Sequence, residues 1–301
     1  MTTKEYLEEV LKDQTLADDS DEIKALQKHR AEVEALLRNH FEDCSPTIRY
    51  GGSKAKGTMI RESYDLDIIC YFPHDDTSAG TTLDEIYTNA RKALEKKYLV
   101  EPKTSALRLK HADRECLGVD FHIDVVPGRF TDDSKTDTFL HQDGADKKRL
   151  KTNIDVHIDH VRDSGVRDAI RLVKLWKVRN GLNLKHFVLE LTVIKLLSEK
   201  KNENLATQLE HVWTEFRDNI DELVVEDPAN PEGNDLNSVL DAARASLQAA
   251  ASRTLQLIET SGWEAVFGRT EKKVSIHVTE RLRRVAVAVA APTRPWCPDE
   301  S

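Results

Sequence analysis

The sequence predicts an α/β fold in two parts, a lobe built around one sheet followed by a helical lobe. Three observations predict it. Strand-like and helix-like stretches alternate through the first half of the chain. From residue 154 to residue 261 the apolar spacing is helical almost throughout. And 301 residues, 39% of them hydrophobic, suffice for one large domain or two packed lobes with a proper core.

In chain order, Asp21–Phe41 reads as a long amphipathic helix, with Ile23, Leu26, Val33, Leu36 and Leu37 recurring among charges. Pro46 and Gly51-Gly52 punctuate the stretch between this helix and the first strand-like run. That run, Asp65–Phe72 (DLDIICYF), reads as a buried strand, and Thr82–Tyr98 as a helix. Ser105–Lys110 and Val119–Val126 read as strands joined by a polar turn at His111–Gly118. Helices are expected over Ile154–Arg162, Val166–Arg179, His186–Lys200 and Leu205–Leu223. A Pro/Asn/Asp/Gly-rich loop, Asp227–Asp235, precedes a further helix over Leu236–Ser261. In Val274–Ala290, Arg281, Arg283 and Arg284 interrupt a period-two alternation, which leaves its assignment open. The tail from Pro292 holds three prolines and reads as extended or loose. No internal repeat is present.

Charged residues make up 32% of the chain and mean hydropathy is −0.53, the balance of a soluble globular protein. No apolar run reaches the ~18 residues of a membrane span. Met1–Asp19 is acidic and lacks the apolar core of a signal peptide. Cys44, Cys70, Cys116 and Cys297 are scattered, with no C-x-x-C pair, so neither a disulfide framework nor a zinc site is indicated, and a reducing cytoplasmic setting is expected. The net charge of −9 tilts against long nucleic acid as substrate, which usually meets a basic field.

Three short segments carry the chemistry. Gly51-Gly52-Ser53 lets a backbone turn approach a phosphate closely, although most such triplets are plain turns. Asp65 and Asp67, two apart on a strand, point to one face. Like charges that close are costly unless neutralised, and a divalent cation with a preference for oxygen ligands does so. Asp120, His122 and Asp124 share a face in VDFHIDVVP; beside the Asp65 strand, Asp124 would complete a triad of carboxylates around two metals. His122 reads as a structural or rim histidine.

The order is Gly-Ser, eleven intervening residues, Asp-x-Asp, then a distant aspartate on an apolar strand. It resembles the signature of the DNA polymerase β-like nucleotidyltransferase superfamily over roughly residues 45 to 130. In the second half, AIRLVKLWKV lies on a helix that sets Arg167, Arg171 and Lys174 in one basic line with Lys177 nearby. Such a line is ordinarily a solvated face. With its lysine-tryptophan spacing, with FVLEL (Phe187–Leu191) and with DPANPEGND (Asp227–Asp235), it resembles the bacterial cyclic-oligonucleotide synthases, relatives of oligoadenylate synthase and cyclic GMP–AMP synthase. The resemblance spans about residues 20 to 270.

That resemblance implies a bilobal fold: N-terminal helices over 1–42 bracing both lobes, a mixed-sheet catalytic lobe over 43–150, a helical substrate-binding lobe over 151–275, and an uncertain C-terminal segment over 276–301. It implies Asp65, Asp67 and Asp124 as catalytic residues and ligands of two Mg²⁺, which Mn²⁺ can replace. It implies Gly52, Ser53, Lys174, Arg171, Lys177 and His186 as substrate contacts. His186 stands where the family often has serine, and Glu190 in FVLEL reads as structural. Tyr64, Tyr71 and Phe187 are candidates to stack on a base. The Asp227 loop reads equally as a cleft wall and as a rigid connector. The expected activity joins nucleoside triphosphates, as donor and acceptor, into a cyclic di- or trinucleotide messenger, with pyrophosphate release. The setting is anti-phage signalling through a separate effector. The rivals are nucleotidyl transfer to RNA, protein or a small molecule, and a non-catalytic nucleotide sensor.

Overall fold

The computed structural model describes residues 1–110, 122–142 and 147–270. The expected turn at His111–Gly118, the strand start at Val119–Phe121 with Asp120, the Val274–Ala290 segment, the proline-rich tail, Cys116 and Cys297 lie outside the described residues. The chain divides into two compact units, Met1–Phe267 and Gly268–Ser301. Every helix and strand named here belongs to the first.

Two helices open the chain, α1 (Thr3–Asp13) and α2 (Asp21–His40). Thr2 and Glu5 form a capping box on α1, and Ser20 caps α2 through the amide of Ile23. Then come β1 (Thr47–Tyr50), the short α3 (Gly52–Lys56), β2 (Asp65–Phe72), α4 (Leu83–Glu95), β3 (Leu99–Pro102), β4 (Leu107–Lys110) and β5 (His122–Phe130). A hairpin of β6 (Thr138–His141) and β7 (Arg149–Thr152) closes the strand-bearing half. The sheet order is β1-β2-β5-β4-β3, with β6 paired to β5 and β7 to β6. Only β2 and β5 run parallel; the other pairs are antiparallel, so the sheet is mixed as expected.

β5 runs four residues beyond the expected end at Val126. In the sheet, Pro127 falls between the stretch paired with β4, which reaches Val125, and the stretch paired with β6, which begins at Gly128. Its missing N–H therefore interrupts neither of those ladders.

The remaining helices are α5 (Ile154–Arg162), α6 (Arg167–Arg179), α7 (His186–Leu196), α8 (Leu205–Asp218), α9 (Asn237–Asp241), α10 (Arg244–Ser261) and α11 (Glu264–Phe267). The expected single helix over Leu236–Ser261 is broken at Ala242–Ala243 into α9 and α10.

Both faces of β2 are covered, which explains its continuous apolar run. Leu66, Ile68, Cys70 and Phe72 pack with Leu107, Ile123 and Val125 beneath α2 and α4. On the opposite face Ile69 and Tyr71 pack with Phe130 and Leu140. A separate cluster joins the helices around Trp176, Trp213 and Phe216 and takes in Tyr6, Leu7, Val10 and Leu11 of α1. The two N-terminal helices thus divide their allegiance, α1 to the helices and α2 to the sheet.

A buried ionic knot ties the end of α3 and the segment after it to α6 and α7. Glu190, 2% exposed, accepts from Lys56 Nζ at 2.9 Å and from the Thr58 hydroxyl at 2.6 Å. Lys174, fully buried, donates to the Thr58 carbonyl at 3.0 Å and lies 3.4 Å from Glu190. Burial pushes the Glu190 carboxyl up, but Lys56 and Lys174 outweigh it and hold it below the ordinary carboxylate range.

Removing Glu190 would strand two buried ammonium groups. Glu190→Ala is expected to lower stability by about 3–5 kcal/mol at neutral pH in urea denaturation. Glu190 is more acidic folded than unfolded, so its contribution is present above the ordinary value of 4.5 and is lost as pH falls through its lower folded value. A loss below about 1 kcal/mol, the scale of exposed pairs, would show that the knot does not join these elements.

Candidate active site

The parallel pairing of β2 with β5 sets the site. Its register places Asp67 directly beside Asp124 and Asp65 beside His122. Paired residues share a face, so Asp65, Asp67 and Asp124 lie on the side that carries Ile69, Tyr71 and Phe130 farther along the strands. The apolar layer ends before the carboxylates begin. The His122 side chain and Asp120 lie outside the described residues.

The turn between β1 and α3 closes over Asp67. The Gly51 amide donates to the Asp67 carbonyl at 3.1 Å. Gly52 adopts φ +67°, and a Cβ there would overlap the Asp67 carboxylate. Glycine is therefore needed at this position twice, for its conformation and for the space it leaves. Ser53 follows, half-buried, at the edge of a cavity of about 200 Å³. Asp65, Asp67, Lys56, His186 and Phe187 line the same cavity.

The electrostatics are those of a site with surplus negative charge. The Asp67 carboxyl is pushed up to about 7 by burial first, then by Asp65 and Asp124, against the pull of Lys56 and Lys174. Burial lowers the Lys177 ammonium, Lys174 lowers it further, and Asp65 opposes both. Lys177 is half-buried and makes no ion pair among the described residues. His186 is pushed down to about 3 by burial and by Lys174 and Lys177, so its ring is neutral at physiological pH. Its buried Nε2 has no hydrogen-bond partner among the described residues.

The basic line on α6 does not act as one surface. Arg171 donates to the Leu11 carbonyl at 3.1 Å and to Thr15 at 2.7 Å, and it lines a different cavity, beside α1. Arg171, expected as a substrate contact, therefore does not line the cavity that holds Asp65 and Asp67. Residues 167, 171 and 174 do share a helix face, but the line spans about 10 Å along the axis, so its ends meet different neighbours. Lys174 reaches the cavity wall with its ammonium already bonded to Thr58 and Glu190. Its ammonium thus also braces the wall of the cavity at which the substrate contact was expected. Of the aromatic candidates, Tyr64 and Tyr71 are in the core, at 9% and 3% exposure. Phe187 is half-buried at the cavity, with Lys56 Nζ 4.6 Å above its ring.

Two residues at the centre of this arrangement were not singled out from the sequence. Lys56 has a local signal, since it follows Gly-Gly-Ser by one helical turn. Arg108 has none without the strand pairing. It sits on β4 opposite Asp124 and binds it bidentately, Nε to Oδ1 at 2.8 Å and Nη2 to Oδ2 at 2.7 Å.

The Asp227 loop is anchored from within. Asp227, 1% exposed, shares a 2.6 Å hydrogen bond with His157 Nε2 and accepts from Asn234 at 2.7 Å and the Ala229 amide at 2.9 Å. His157 also packs on Phe187 at 4.5 Å between ring centroids. The loop is thus a rigid connector, and its anchor His157 packs against Phe187 of the cavity wall.

A divalent cation fits the donor set. All the ligands on offer are hard carboxylate oxygens, and Asp67 is held against two like charges that such an ion would neutralise. With Asp124 turned to Arg108, no group of three His, Cys, Asp or Glu side chains converges as a metal site among the described residues.

No family model matches the chain. It is 24% identical, over 84% of its length and 91% of the relative's, to the cyclic AMP-AMP-AMP synthase of Escherichia coli strain MS 115-1. Its structure superposes on that of E. coli MS115-1 CdnC with ATP at TM-score 0.63 and 20% identity, covering 89% of this chain and 98% of the other. Bradyrhizobium diazoefficiens CdnG with GTP gives 0.63 and 16%, covering 93% and 97%. The Vibrio cholerae cyclic AMP-GMP synthase DncV gives 0.59 and 17%, covering 90% and 81%. The fold is that of the polymerase β-like nucleotidyltransferases. Within that class its likeness, in sequence and in structure, is to the bacterial cyclic-oligonucleotide synthases, the CD-NTases.

Asp67 is harder to ionise in the folded chain than in the unfolded one. Its charge therefore costs no stability well below pH 4, costs more as pH rises toward about 7, and reaches its full cost above that. In chelator-treated protein at pH 8, Asp67→Asn is expected to melt higher than the parent, the gap closing toward pH 4. A lower melting temperature at pH 8 would show that the cluster is not a source of repulsion.

Proposed function

We propose that this chain condenses nucleoside triphosphates into a cyclic di- or trinucleotide with release of pyrophosphate. The observation that carries the reading is the register of Asp67 against Asp124, with Asp65 on the same face, under a Gly-Gly-Ser turn. The synthase named for cyclic AMP-AMP-AMP, at 24% identity, supports a cyclic product, and the ATP and GTP bound to CdnC and CdnG support triphosphate substrates.

Asp65, Asp67 and Asp124 would hold two Mg²⁺, with Mn²⁺ as a substitute. The ions supply charge neutralisation at the triphosphate and at the attacking hydroxyl. The chain's own residues do the rest. The amides around Gly52 and the Ser53 hydroxyl bind the β- and γ-phosphates. Lys174 at the cavity wall and Lys177, within electrostatic reach of Asp65, supply positive charge from α6 toward the triphosphate. Lys56 adds positive potential from its knot with Glu190. Neutral His186 offers a ring nitrogen without bringing a charge. Phe187 gives a base a face to stack on. A 2′- or 3′-hydroxyl of the acceptor attacks the α-phosphorus, the bond to the β-phosphate oxygen breaks, and pyrophosphate leaves. The hydroxyl proton passes to the carboxylate cluster. Catalysis rests on positioning and charge stabilisation. Repetition in the same site extends the chain and closes the ring.

Among the described residues no helix is long and apolar enough to cross a membrane. A cytoplasmic enzyme whose product reaches a separate effector in anti-phage defence is part of the same proposal.

Incubation of the purified protein with all four nucleoside triphosphates and Mg²⁺ or Mn²⁺ should yield a phosphatase-resistant cyclic product by mass spectrometry. Asp67→Asn and Asp124→Asn are each expected to reduce it at least ~100-fold while leaving circular dichroism unchanged. An active Asp124→Asn enzyme would remove the third carboxylate from the mechanism. Label transferred to added RNA or protein instead would replace the small-product reading.

A further inference from the structure

One row of paired residues crosses four strands through the site. Asp67 of β2 pairs with Asp124 of β5, Asp124 with Arg108 of β4, and Arg108 with Glu101 of β3. Directly paired residues project to the same face, so the row reads acid, acid, base, acid along one side of the sheet. Arg108 is the hinge of that pattern, with a carboxylate on either flank.

In the present arrangement Arg108 is committed to Asp124. Its fork occupies both carboxylate oxygens, at 2.8 and 2.7 Å. Glu101 is held meanwhile by Lys103 and Lys110, the latter at 2.6 Å. Asp124 does not line the cavity that Asp65 and Asp67 share.

We propose that Arg108 is a positioning residue that competes with the divalent cation for Asp124, holding this carboxylate in the metal-free cluster and passing to Glu101 when the ion takes it. A guanidinium stays charged at any working pH and binds a carboxylate through two parallel hydrogen bonds. Without it, Asp124 would face Asp67 with no counter-charge. With it, one lone pair on each Asp124 oxygen is taken, and the carboxylate does not line the cavity that Asp65 and Asp67 share. The row supplies the alternative partner one strand away, already surrounded by exposed lysines that can release it to solvent at little cost. The proposal rests on the metal-dependent reading of the site but concerns the order of occupancy, which that reading leaves open.

Mn²⁺ binding to the purified full chain, followed by the loss of the free-ion electron paramagnetic resonance signal without nucleotide, tests it. Arg108→Gln is expected to bind Mn²⁺ roughly fivefold more tightly than the parent, because a competing charge a few ångströms from the ion is gone. The gain should disappear in Arg108→Gln combined with Asp124→Asn, relative to Asp124→Asn alone. Glu101→Gln should bind Mn²⁺ more weakly than the parent, since Arg108 then has nowhere to go. Arg108→Lys, which keeps the charge and loses the fork, should fall between parent and Gln and serves if the Gln variant does not fold. A merely structural bridge would lower the melting temperature of Arg108→Gln and leave the Mn²⁺ titration where it was; that result, or weaker binding, overturns the proposal. Absence of Mn²⁺ binding in every form also overturns it. Pyrophosphate release by the parent is measured in parallel. A tighter Arg108→Gln titration in a protein that releases none would keep the competition and reject the synthase reading.

Discussion

The parallel pairing of β2 with β5 is the constraint on which the rest depends. Ladder hydrogen bonds and the apolar residues on both faces fix its register, and the register leaves Asp67 and Asp124 as neighbours whatever their charges prefer. A one-residue slip would turn each strand's apolar set to the wrong side. The core thus imposes a concentration of negative charge that no isolated strand would choose. The surroundings answer it with cations from three directions: Arg108 from β4, Lys56 from α3 and Lys177 from α6. Such a concentration of negative charge suits a positively charged visitor, which is the reading proposed for the site.

The helices meet this sheet through a knot of opposite character. Glu190 is an acid surrounded by two lysines and a hydroxyl, satisfied within the interior. It fixes the segment after the glycine turn against α6 and α7, and Lys56, bonded to it, leans over Phe187. Phe187 is backed in turn by His157 and the buried Asp227. One continuous set of contacts therefore runs from Glu190 through Lys56, Phe187 and His157 to the proline loop. The likeness to CdnC and CdnG covers nearly the whole of each of those chains, which fits a shared arrangement of both halves.

Much of this is legible in the sequence because it depends on local pattern. The spacing within DLDIICYF puts Asp65 and Asp67 on a shared face, and Gly-Gly-Ser marks the turn above them. Helical spacing likewise sets the α6 basic residues on one face, but a face is not a destination. Arg171 ends against α1 and Lys174 against Glu190, and only the packing of other elements decides that. Arg108 is invisible for a related reason: its partner is set by a β4–β5 ladder that no spacing within LRLK announces. The single acid in FVLEL reads as structural, and its partners Lys56, Thr58 and Lys174 show what kind of structure it serves. The break between α9 and α10 follows no proline or glycine, so periodicity alone runs through it.

If the β2–β5 carboxylates are where a metal-bound triphosphate sits, manganese should be seen there. Anomalous scattering from Mn²⁺, in crystals grown with a non-hydrolysable triphosphate analogue, locates the ion without reference to activity. Manganese peaks are expected within coordination distance of Asp65 and Asp67, with Asp124 released from Arg108 and the triphosphate under the Gly52–Ser53 turn. Manganese or triphosphate bound elsewhere, with these carboxylates left as they stand and Arg108 still on Asp124, would contradict that placement.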